Sequence, residues 1–300
     1  MKLPTYLLAG TLVSALTGCA TTPSPPPFSR VVTPEVTAYR AEHVASLMEQ
    51  VNVTRDIAFG ETPEKTLLLD IYAPRDPSTT PRPCVVWIHG GGLDSLDKDY
   101  ELIRWCAAYT ARAGFVSASI DYRLVPEAPL PAAIVDCKAA VRFLRAHAAQ
   151  YGIDPERIAV AGESSGGYLA SYVAFASKDA GYDVGAWDGV SSDVACAVVW
   201  YGHTLEDFNP LDHIAPDSPP ALFIHGNRDS IVPISESHAF LERCTEQQVP
   251  ASLYIIANAE HGMFDANAQL EAFKAHMEEA LWATTVYLRR QLAPPANDAQ

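Results

Sequence analysis

The feature that most constrains the fold of this chain is a regular alternation of short apolar segments with longer helix-like ones. Several of the short segments are apolar throughout and rich in β-branched and aromatic residues, as are strands that helices cover on both faces. They lie at Thr66–Tyr72, Pro83–His89, Phe115–Asp121, Arg157–Ala161, Ala195–Tyr201, Ala221–His225 and Ser252–Ile256. Strands that alternate with helices indicate βαβ units, so we predict one α/β domain with a mostly parallel central sheet and helices on both faces.

The segments between these strands have the periodicity of helices with one buried face. They are Tyr100–Ala113, Ala132–Gln150, Ser165–Ser177, Glu236–Gln247 and Leu270–Leu288. A hairpin-like turn at Gly60–Pro63 precedes the first of the strands named above. This turn predicts an antiparallel edge to the sheet.

The start of the chain has the layout of a secretory signal. A lysine and an apolar run too short to span a membrane are followed by Leu16–Cys19 (LTGC), which resembles the lipobox of bacterial lipoproteins. We predict a signal peptide over residues 1–18, then a lipidated Cys19 and a proline-rich tether over residues 19–27. An ordinary cleaved signal and an uncleaved anchor are the alternatives. Because Ala20 rather than Asp follows the cysteine, we expect an outer-membrane lipoprotein that faces the periplasm or the exterior.

The rest of the chain divides into three parts. Residues 28–52, with a helix-like stretch at Ala41–Val51, are predicted to form an N-terminal helical or cap segment. The main domain is expected over residues 53–292, and residues 293–300 form a tail that we expect to be flexible.

Charge and cysteine content limit the partners. With 21 basic and 36 acidic residues, the formal net charge is −15. Such a surface repels nucleic acids and anionic lipid headgroups, so we expect no nucleic-acid partner and contact with a membrane only through the lipid anchor. The cysteines other than Cys19 show no CxxC spacing, and we interpret them as small buried hydrophobes, with one or two disulfides left open. They are Cys84, Cys106, Cys137, Cys196 and Cys244.

The strongest local motif is Gly162-x-Ser164-x-Gly166, which stands between a predicted strand and a predicted helix. Glycines on both sides allow a serine to occupy a sharp turn where strand and helix crowd together. A hydroxyl is a poor nucleophile near pH 7, so such a serine needs a base and an acid that orients the base. We assign Ser164 as the nucleophile, and a turn without chemistry is the alternative for this motif taken alone.

A run of three glycines follows an earlier buried strand, at His89-Gly90-Gly91-Gly92. The backbone N–H groups of such a loop are unshielded by side chains and can donate to an oxyanion, together with the N–H of the residue after the nucleophile. We therefore predict an oxyanion hole formed by Gly91, Gly92 and Ser165. For His89 we expect a structural role.

Two later strands end in loops that carry an acid and a base. Asp229 follows the strand Ala221–His225, and His261 follows the strand Ser252–Ile256 within an Ala-Glu-His-Gly sequence. The carboxyl ends of parallel strands meet at one edge of a sheet, so both residues are expected near Ser164. We assign Asp229 as the acid and His261 as the base.

Other polar residues have simpler explanations. Glu236 begins a helix, where the helix dipole favours a carboxylate, and Glu163 is expected to point away from Ser164. No zincin or dinucleotide motif is present in the sequence, so neither a metal nor a nucleotide cofactor is implied. The histidines that do not lie on a glycine-flanked loop late in the chain are His203, His213, His225 and His238.

Taken together, these motifs resemble those of the α/β-hydrolase esterases. The resemblance is greatest to the hormone-sensitive-lipase-like carboxylesterases and to the bacterial feruloyl and acetylxylan-type esterases, and it spans about residues 55–265. It rests on HGGG at residues 89–92, Asp121–Glu127, GESSGG around Ser164, GNRDSIVP around Asp229 and EHGMF around His261. The resemblance implies the α/β-hydrolase fold and hydrolysis of acyl esters without a cofactor.

The substrate is less well defined. Leu93 and Ser165 depart from the aromatic residue and the alanine usual in the family, and both line the acyl region. The segment Tyr201–Asp217 is too short for an inserted lid, so any cap has to come from residues 28–50. We therefore expect a small-molecule or carbohydrate-linked ester with a short or soluble acyl group. Amide or formamide hydrolysis by the same triad and a catalytically silent binding module are the alternatives.

Overall fold

The computed structural model describes residues 32–294. The predicted signal peptide, Cys19 and the tether lie outside the described residues, as does the tail beyond residue 294. Within residues 32–294, no helix has the length and apolar content needed to cross a membrane.

The described part of the chain begins with a helix and three consecutive strands, and beyond the third strand, strands and helical segments alternate. The strands are β1 (Val51–Glu61), β2 (Thr66–Pro74), β3 (Arg82–Ile88), β4 (Val116–Ile120), β5 (Ile153–Glu163), β6 (Cys196–Trp200), β7 (Ala221–Gly226) and β8 (Ala251–Ile256). The α-helices are α1 (Pro34–Met48), α2 (Glu101–Arg112), α3 (Ala132–Ala146), α4 (Ala148–Tyr151), α5 (Ser165–Phe175), α6 (Ser235–Glu246) and α7 (Leu270–Gln291).

The strands form one sheet with the order β1-β2-β4-β3-β5-β6-β7-β8. β1 pairs with β2, and β2 with β4, in antiparallel fashion, whereas every pair from β4 to β8 is parallel. The predicted mostly parallel sheet with an antiparallel edge is therefore confirmed.

Two apolar cores cover the two faces of the sheet. Along β3, Cys84, Val86 and Ile88 belong to one core, and Val85 and Trp87 belong to the other. The first core is completed by α3, α5 and α6, and the second by α1, α2 and α7. Because all five of these β3 side chains are fully buried, this strand lacks the polar alternation of a half-exposed one, which explains its continuous apolar sequence.

Two helices differ from their predicted bounds by more than a few residues. Helix α1 begins at Pro34, seven residues before the predicted stretch, because Thr33 caps it: its Oγ1 accepts the N–H of Val36 at 3.3 Å. The helix predicted over Ala132–Gln150 is divided at His147, where φ is −105° and ψ is 18°. The His147 ring packs against Trp187, with 4.8 Å between ring centres, so a tertiary contact accompanies the break.

All the cysteines of the described residues are buried free thiols, which confirms their interpretation as small core residues. Burial raises the pKa of these thiols, for example that of Cys84 to about 12, so none is an activated nucleophile.

Candidate active site

The predicted nucleophile lies on a strained turn between β5 and α5. Ser164 has φ 54° and ψ −123°, a conformation that L residues rarely adopt. A Cβ on Gly162 would lie 2.2 Å from the carbonyl oxygen of Gly166, and a Cβ on Gly166 would lie 2.1 Å from that of Ile88. The motif therefore requires glycine at both positions because backbone, rather than a movable side chain, fills the space.

The loops after β5, β7 and β8 bring the three predicted residues together. The His261 Nδ1–H donates to Asp229 Oδ2 at 2.8 Å. On the other side of the ring, Nε2 lies 3.0 Å from Ser164 Oγ and accepts a hydrogen bond from the Ser164 hydroxyl. The acceptor Asp229 fixes this tautomer. The predicted base is thus within hydrogen-bonding distance of both the predicted nucleophile and the predicted acid.

Asp229 is held as an anion. Its side chain is 0% exposed, and Oδ1 accepts the N–H groups of Ile231 and Val232 at 2.9 and 2.8 Å. Burial raises the pKa of Asp229, but hydrogen bonds from His225 and His261 outweigh this and lower it to about 2. The carboxylate is therefore charged at any pH near neutrality, as an acid that stabilises an imidazolium has to be.

A second histidine that the sequence analysis set aside supports this loop. His225, at the end of β7, donates from Nε2 to the carbonyl oxygen of Val232 at 2.9 Å and lies 3.4 Å from Asp229 Oδ2. Its Nδ1 accepts from Ser237 Oγ at 2.7 Å. His225 thus positions the loop that carries the acid. The sequence feature that could have revealed this role is a histidine at the end of an otherwise apolar strand.

The loop that carries the base is tied to the loop that carries the acid. Glu260 is 2% exposed, and its Oε2 accepts both the N–H and the hydroxyl of Ser230 at 2.9 Å. The residue before His261 therefore contacts the residue after Asp229, which fixes the separation of the two loops. The sequence analysis assigned Glu260 no role.

The glycine loop lies next to the serine turn. Gly91 and Gly92 have φ values of 101° and 67°, which favour glycine. Within residues 32–294, no protein acceptor takes the N–H of Gly91 or Gly92. Ser165 begins α5, so its N–H has no partner inside the helix, and its Oγ accepts the N–H of Leu93 at 3.3 Å. The three predicted oxyanion donors are thus adjacent and available.

Glu163, immediately before the nucleophile, points into the glycine loop. Its Oε1 accepts the N–H of Gly90 at 2.6 Å. Burial raises the pKa of Glu163 above its usual range, and the hydrogen bond from Gly90 offsets only part of this rise. Glu163 was expected only to point away from Ser164, and the sequence analysis did not foresee that its carboxylate binds the backbone next to the oxyanion glycines.

His89 has the structural role that we expected. It is 1% exposed, its ring stacks on Tyr122 with 4.3 Å between centres, and its Nδ1 donates to the carbonyl oxygen of Gly90 at 2.8 Å. Burial lowers the pKa of His89 to about 4, so the ring is neutral near pH 7. Glu236 lies in the first turn of α6, as predicted, and also accepts the N–H and hydroxyl of Thr204 at 2.9 and 2.8 Å.

The described residues offer no obvious metal site. No group of three or more His, Cys, Asp or Glu side chains between residues 32 and 294 is arranged to hold an ion.

A known protein family matches the middle of the chain. Residues 69–208 match the family model described as BD-FAE. This stretch contains the glycine loop and Ser164, whereas Asp229 and His261 lie beyond it.

The relatives are esterases. Esterase LipC of Mycobacterium tuberculosis is 28% identical over 224 residues, which are 63% of this chain and 54% of LipC. Carboxylesterase NlhH of the same species is 38% identical over 129 residues, 42% of this chain and 37% of NlhH. The chain therefore spans about half or less of the length of these curated relatives.

Two solved structures of an esterase from Thermogutta terrifontis are similar over most of the fold. One has propionate bound and the other is phosphonylated by cyclosarin. Each is 25% identical, has a TM-score of 0.68 and covers 82% of this chain and 97% of its own.

The fold and the site define an α/β-hydrolase with a serine, histidine and aspartate at the carboxyl edge of its sheet. Within that class, the chain is similar to the serine esterases just described.

Proposed function

We propose that this protein is a serine carboxylesterase that hydrolyses short or soluble acyl esters. The observation that carries the proposal is the position of His261, hydrogen-bonded to Asp229 on one side and to Ser164 on the other, beside the glycine loop. A complete triad argues against the silent binding module, because such a module has no need of a base aligned with a nucleophile.

The mechanism follows from the hydrogen bonds. His261 Nε2 takes the hydroxyl proton as Ser164 Oγ attacks the ester carbonyl, and Asp229 stabilises the imidazolium that forms. The N–H groups of Gly91, Gly92 and Ser165 receive the oxyanion. His261 then returns the proton to the leaving alcohol. Water, activated by the same imidazole, attacks the acyl-enzyme and releases the acid.

The preference for short or soluble acyl groups rests on the chain between β6 and β7. In residues 201–217 the only helical element is the short 3-10 turn Pro210–His213, so no lid domain is inserted there. Ser164 is half-buried rather than covered. The related esterase with propionate bound is consistent with a short acyl group, which we infer for this chain as well.

The test is turnover of p-nitrophenyl esters from acetate to octanoate by purified protein beginning at residue 28, with Ser164→Ala as the matched control. We expect the highest kcat/KM at the shortest chains and none in the control. p-Nitroanilides of the same acids and an aryl formamide test the amide alternative. Faster cleavage of these than of the esters, or a folded protein that cleaves neither, would contradict the proposal.

We also propose that the enzyme is held at the outer membrane through Cys19. The support is the sequence LTGC after a charged and apolar start, and the tether ATTPSPPP that follows.

A further inference from the structure

Helix α1 carries a buried cation that reaches two loops of the candidate active site. Arg40 is 7% exposed, and its Nε lies 3.2 Å from Glu101 Oε2 at the start of α2. Its Cζ lies 5.6 Å from the centre of the Tyr100 ring and 5.8 Å from that of the Phe264 ring. One guanidinium thus contacts aromatic rings from two different segments.

The first ring belongs to the far end of the glycine loop. Tyr100 is the last residue before α2, and its N–H donates to the carbonyl oxygen of Asp97 at 3.0 Å. The loop that contains Gly91 and Gly92 is held at one end by the bond from Gly90 to Glu163, and Tyr100 lies at its other end.

The second ring lies against the catalytic histidine's own turn. Phe264 is 5% exposed, and a Cβ on Gly262 would lie 2.7 Å from its ring. The ring also stacks on Phe273 of α7, with 5.2 Å between centres and 17° between planes. Since Gly262 follows His261 directly, the placement of the Phe264 ring sets the placement of the base.

We propose that Arg40 is a positioning residue that holds the His261 turn and the end of the glycine loop at a fixed separation. A planar guanidinium can lie over two rings at once and pair with a carboxylate, which an apolar side chain cannot do. Arg40 also opposes the rise in the pKa of Glu163 that burial causes, so its charge is felt at the carboxylate that binds Gly90. The N-terminal helix α1 is thereby coupled to the geometry of the site.

The experiment compares Arg40→Met with Arg112→Met in protein that begins at residue 28. Arg112 is the matched control because it is exposed, lies 5.2 Å from the Tyr109 ring and donates to Gln50 Oε1 at 3.4 Å. Arg112 thus makes a cation–π contact within α2 and a hydrogen bond to the segment just after α1, without touching a catalytic loop. The readouts are kcat and KM with p-nitrophenyl acetate, the rate of labelling of Ser164 by a fluorophosphonate, and the melting temperature.

For Arg40→Met we expect kcat and the labelling rate to fall about tenfold with little change in KM, because small displacements of catalytic groups act on the transition state. Arg112→Met should keep kcat and the labelling rate of the wild type, even if its melting temperature falls as much as that of Arg40→Met. Arg40→Lys keeps the charge but not the planar contact, so its kcat and labelling rate should lie between those of the wild type and Arg40→Met. This variant replaces Arg40→Met in the comparison if Arg40→Met does not fold. Equal losses in the Arg40 and Arg112 variants, or no loss in either Arg40 variant, would overturn the proposal.

The inference rests on the esterase function proposed above, but the two can fail separately. If the wild type cleaves no ester, the esterase proposal fails. The ratio of labelling rates between wild type and Arg40→Met then still tests the positioning role, because labelling requires only the nucleophile, the base and the oxyanion hole.

Discussion

The carboxylate of Glu163 accepts the backbone N–H of Gly90 at 2.6 Å. The residue before the nucleophile therefore holds the residue before the oxyanion glycines, across 73 positions of sequence. Movement of the serine turn and movement of the glycine loop are coupled by this bond, because no solvent reaches the fully buried Gly90 N–H to replace the carboxylate.

The first prediction distinguishes two properties of Glu163: the oxygen that accepts the Gly90 N–H and the negative charge of the carboxylate. Glu163→Ala leaves the Gly90 N–H without a partner and should lower the free energy of unfolding by about 1–3 kcal/mol. We expect kcat to fall more than about tenfold, as the glycine loop loses one fixed end. Glu163→Gln keeps an acceptor oxygen and should retain kcat within a few-fold. Urea unfolding measures the change in stability, and ester kinetics measure the change in kcat. Equal kcat in the two variants would contradict the coupling between the serine turn and the glycine loop.

The pH dependence of stability in Glu163→Gln has a definite sign. Burial raises the pKa of Glu163 above its usual 4.5, so the folded state binds the proton more tightly than the unfolded state. The contribution of Glu163 to stability is complete below pH 4.5 and is lost as the pH rises through the raised pKa. The glutamine variant should therefore gain stability relative to the wild type on going from pH 4 to pH 8. A constant difference would show that Glu163 titrates normally.

Adjacent serines provide the next prediction. Ser164→Ala should abolish labelling by a fluorophosphonate, whereas Ser165→Ala should still be labelled at Ser164. The Ser165 hydroxyl accepts the Leu93 N–H at 3.3 Å and also hydrogen-bonds Tyr122, so its loss should lower the free energy of unfolding by about 1–2 kcal/mol. Mass spectrometry of the labelled peptide identifies the site. Label found on Ser165, or retained in Ser164→Ala, would refute the assignment of the nucleophile.

Asp229 should affect both catalysis and acid stability. Asp229→Asn should lower kcat by about 10⁴, because the amide no longer holds the required imidazole tautomer. The pKa of Asp229 is lowered from 3.8 to about 2, so its charge stabilises the fold above pH 3.8 and this stabilisation is lost as the pH falls toward 2. The difference in unfolding free energy between wild type and Asp229→Asn should thus shrink by about 2 kcal/mol over that interval.

The control for this titration is Asp207→Asn, since Asp207 is exposed and makes no ion pair in the described part of the chain. Urea unfolding at several pH values between 2 and 6 compares the three proteins. If Asp207→Asn changes with pH as Asp229→Asn does, the effect is one of net charge and not of the triad.

The sequence predicts those parts of the site that depend on the ends of strands. Ser164, Asp229 and His261 each follow a strand whose apolar run is visible in the sequence, and parallel pairing brings such ends together. The hydrogen bonds between Glu163 and Gly90 and between Glu260 and Ser230, and the contact of the Arg40 guanidinium with the Phe264 ring, could not be predicted in this way. They depend on the direction of single side chains between loops far apart in sequence, and neither periodicity nor turn chemistry encodes that direction.

The glycine loop offers a contrast between neighbouring residues. A Cβ on Gly91 would lie 2.3 Å from the carbonyl oxygen of Ser95, whereas a Cβ on Gly92 has Asp94 Oδ1 at 3.5 Å as its nearest neighbour. Gly92→Ala should therefore fold with about 1–2 kcal/mol of backbone strain, and Gly91→Ala should lose considerably more stability because main chain would have to move. Thermal unfolding compares the two. A melting temperature for Gly91→Ala at or above that of Gly92→Ala would contradict this description of the loop.

The last prediction concerns attachment through Cys19. Each buried CH₂ of an acyl chain contributes about 0.8 kcal/mol, so the several chains of a lipoprotein hold an acidic domain at a bilayer that its charge of −15 would otherwise repel. In a Gram-negative host supplied with labelled palmitate, the wild type should carry label and fractionate with the outer membrane, and Cys19→Ser should not. Cys84→Ser is the control, because Cys84 is a buried thiol that no acyltransferase reaches in the folded protein. Equal label in wild type and Cys19→Ser, or complete release of the wild type by osmotic shock, would leave an unanchored secreted protein instead.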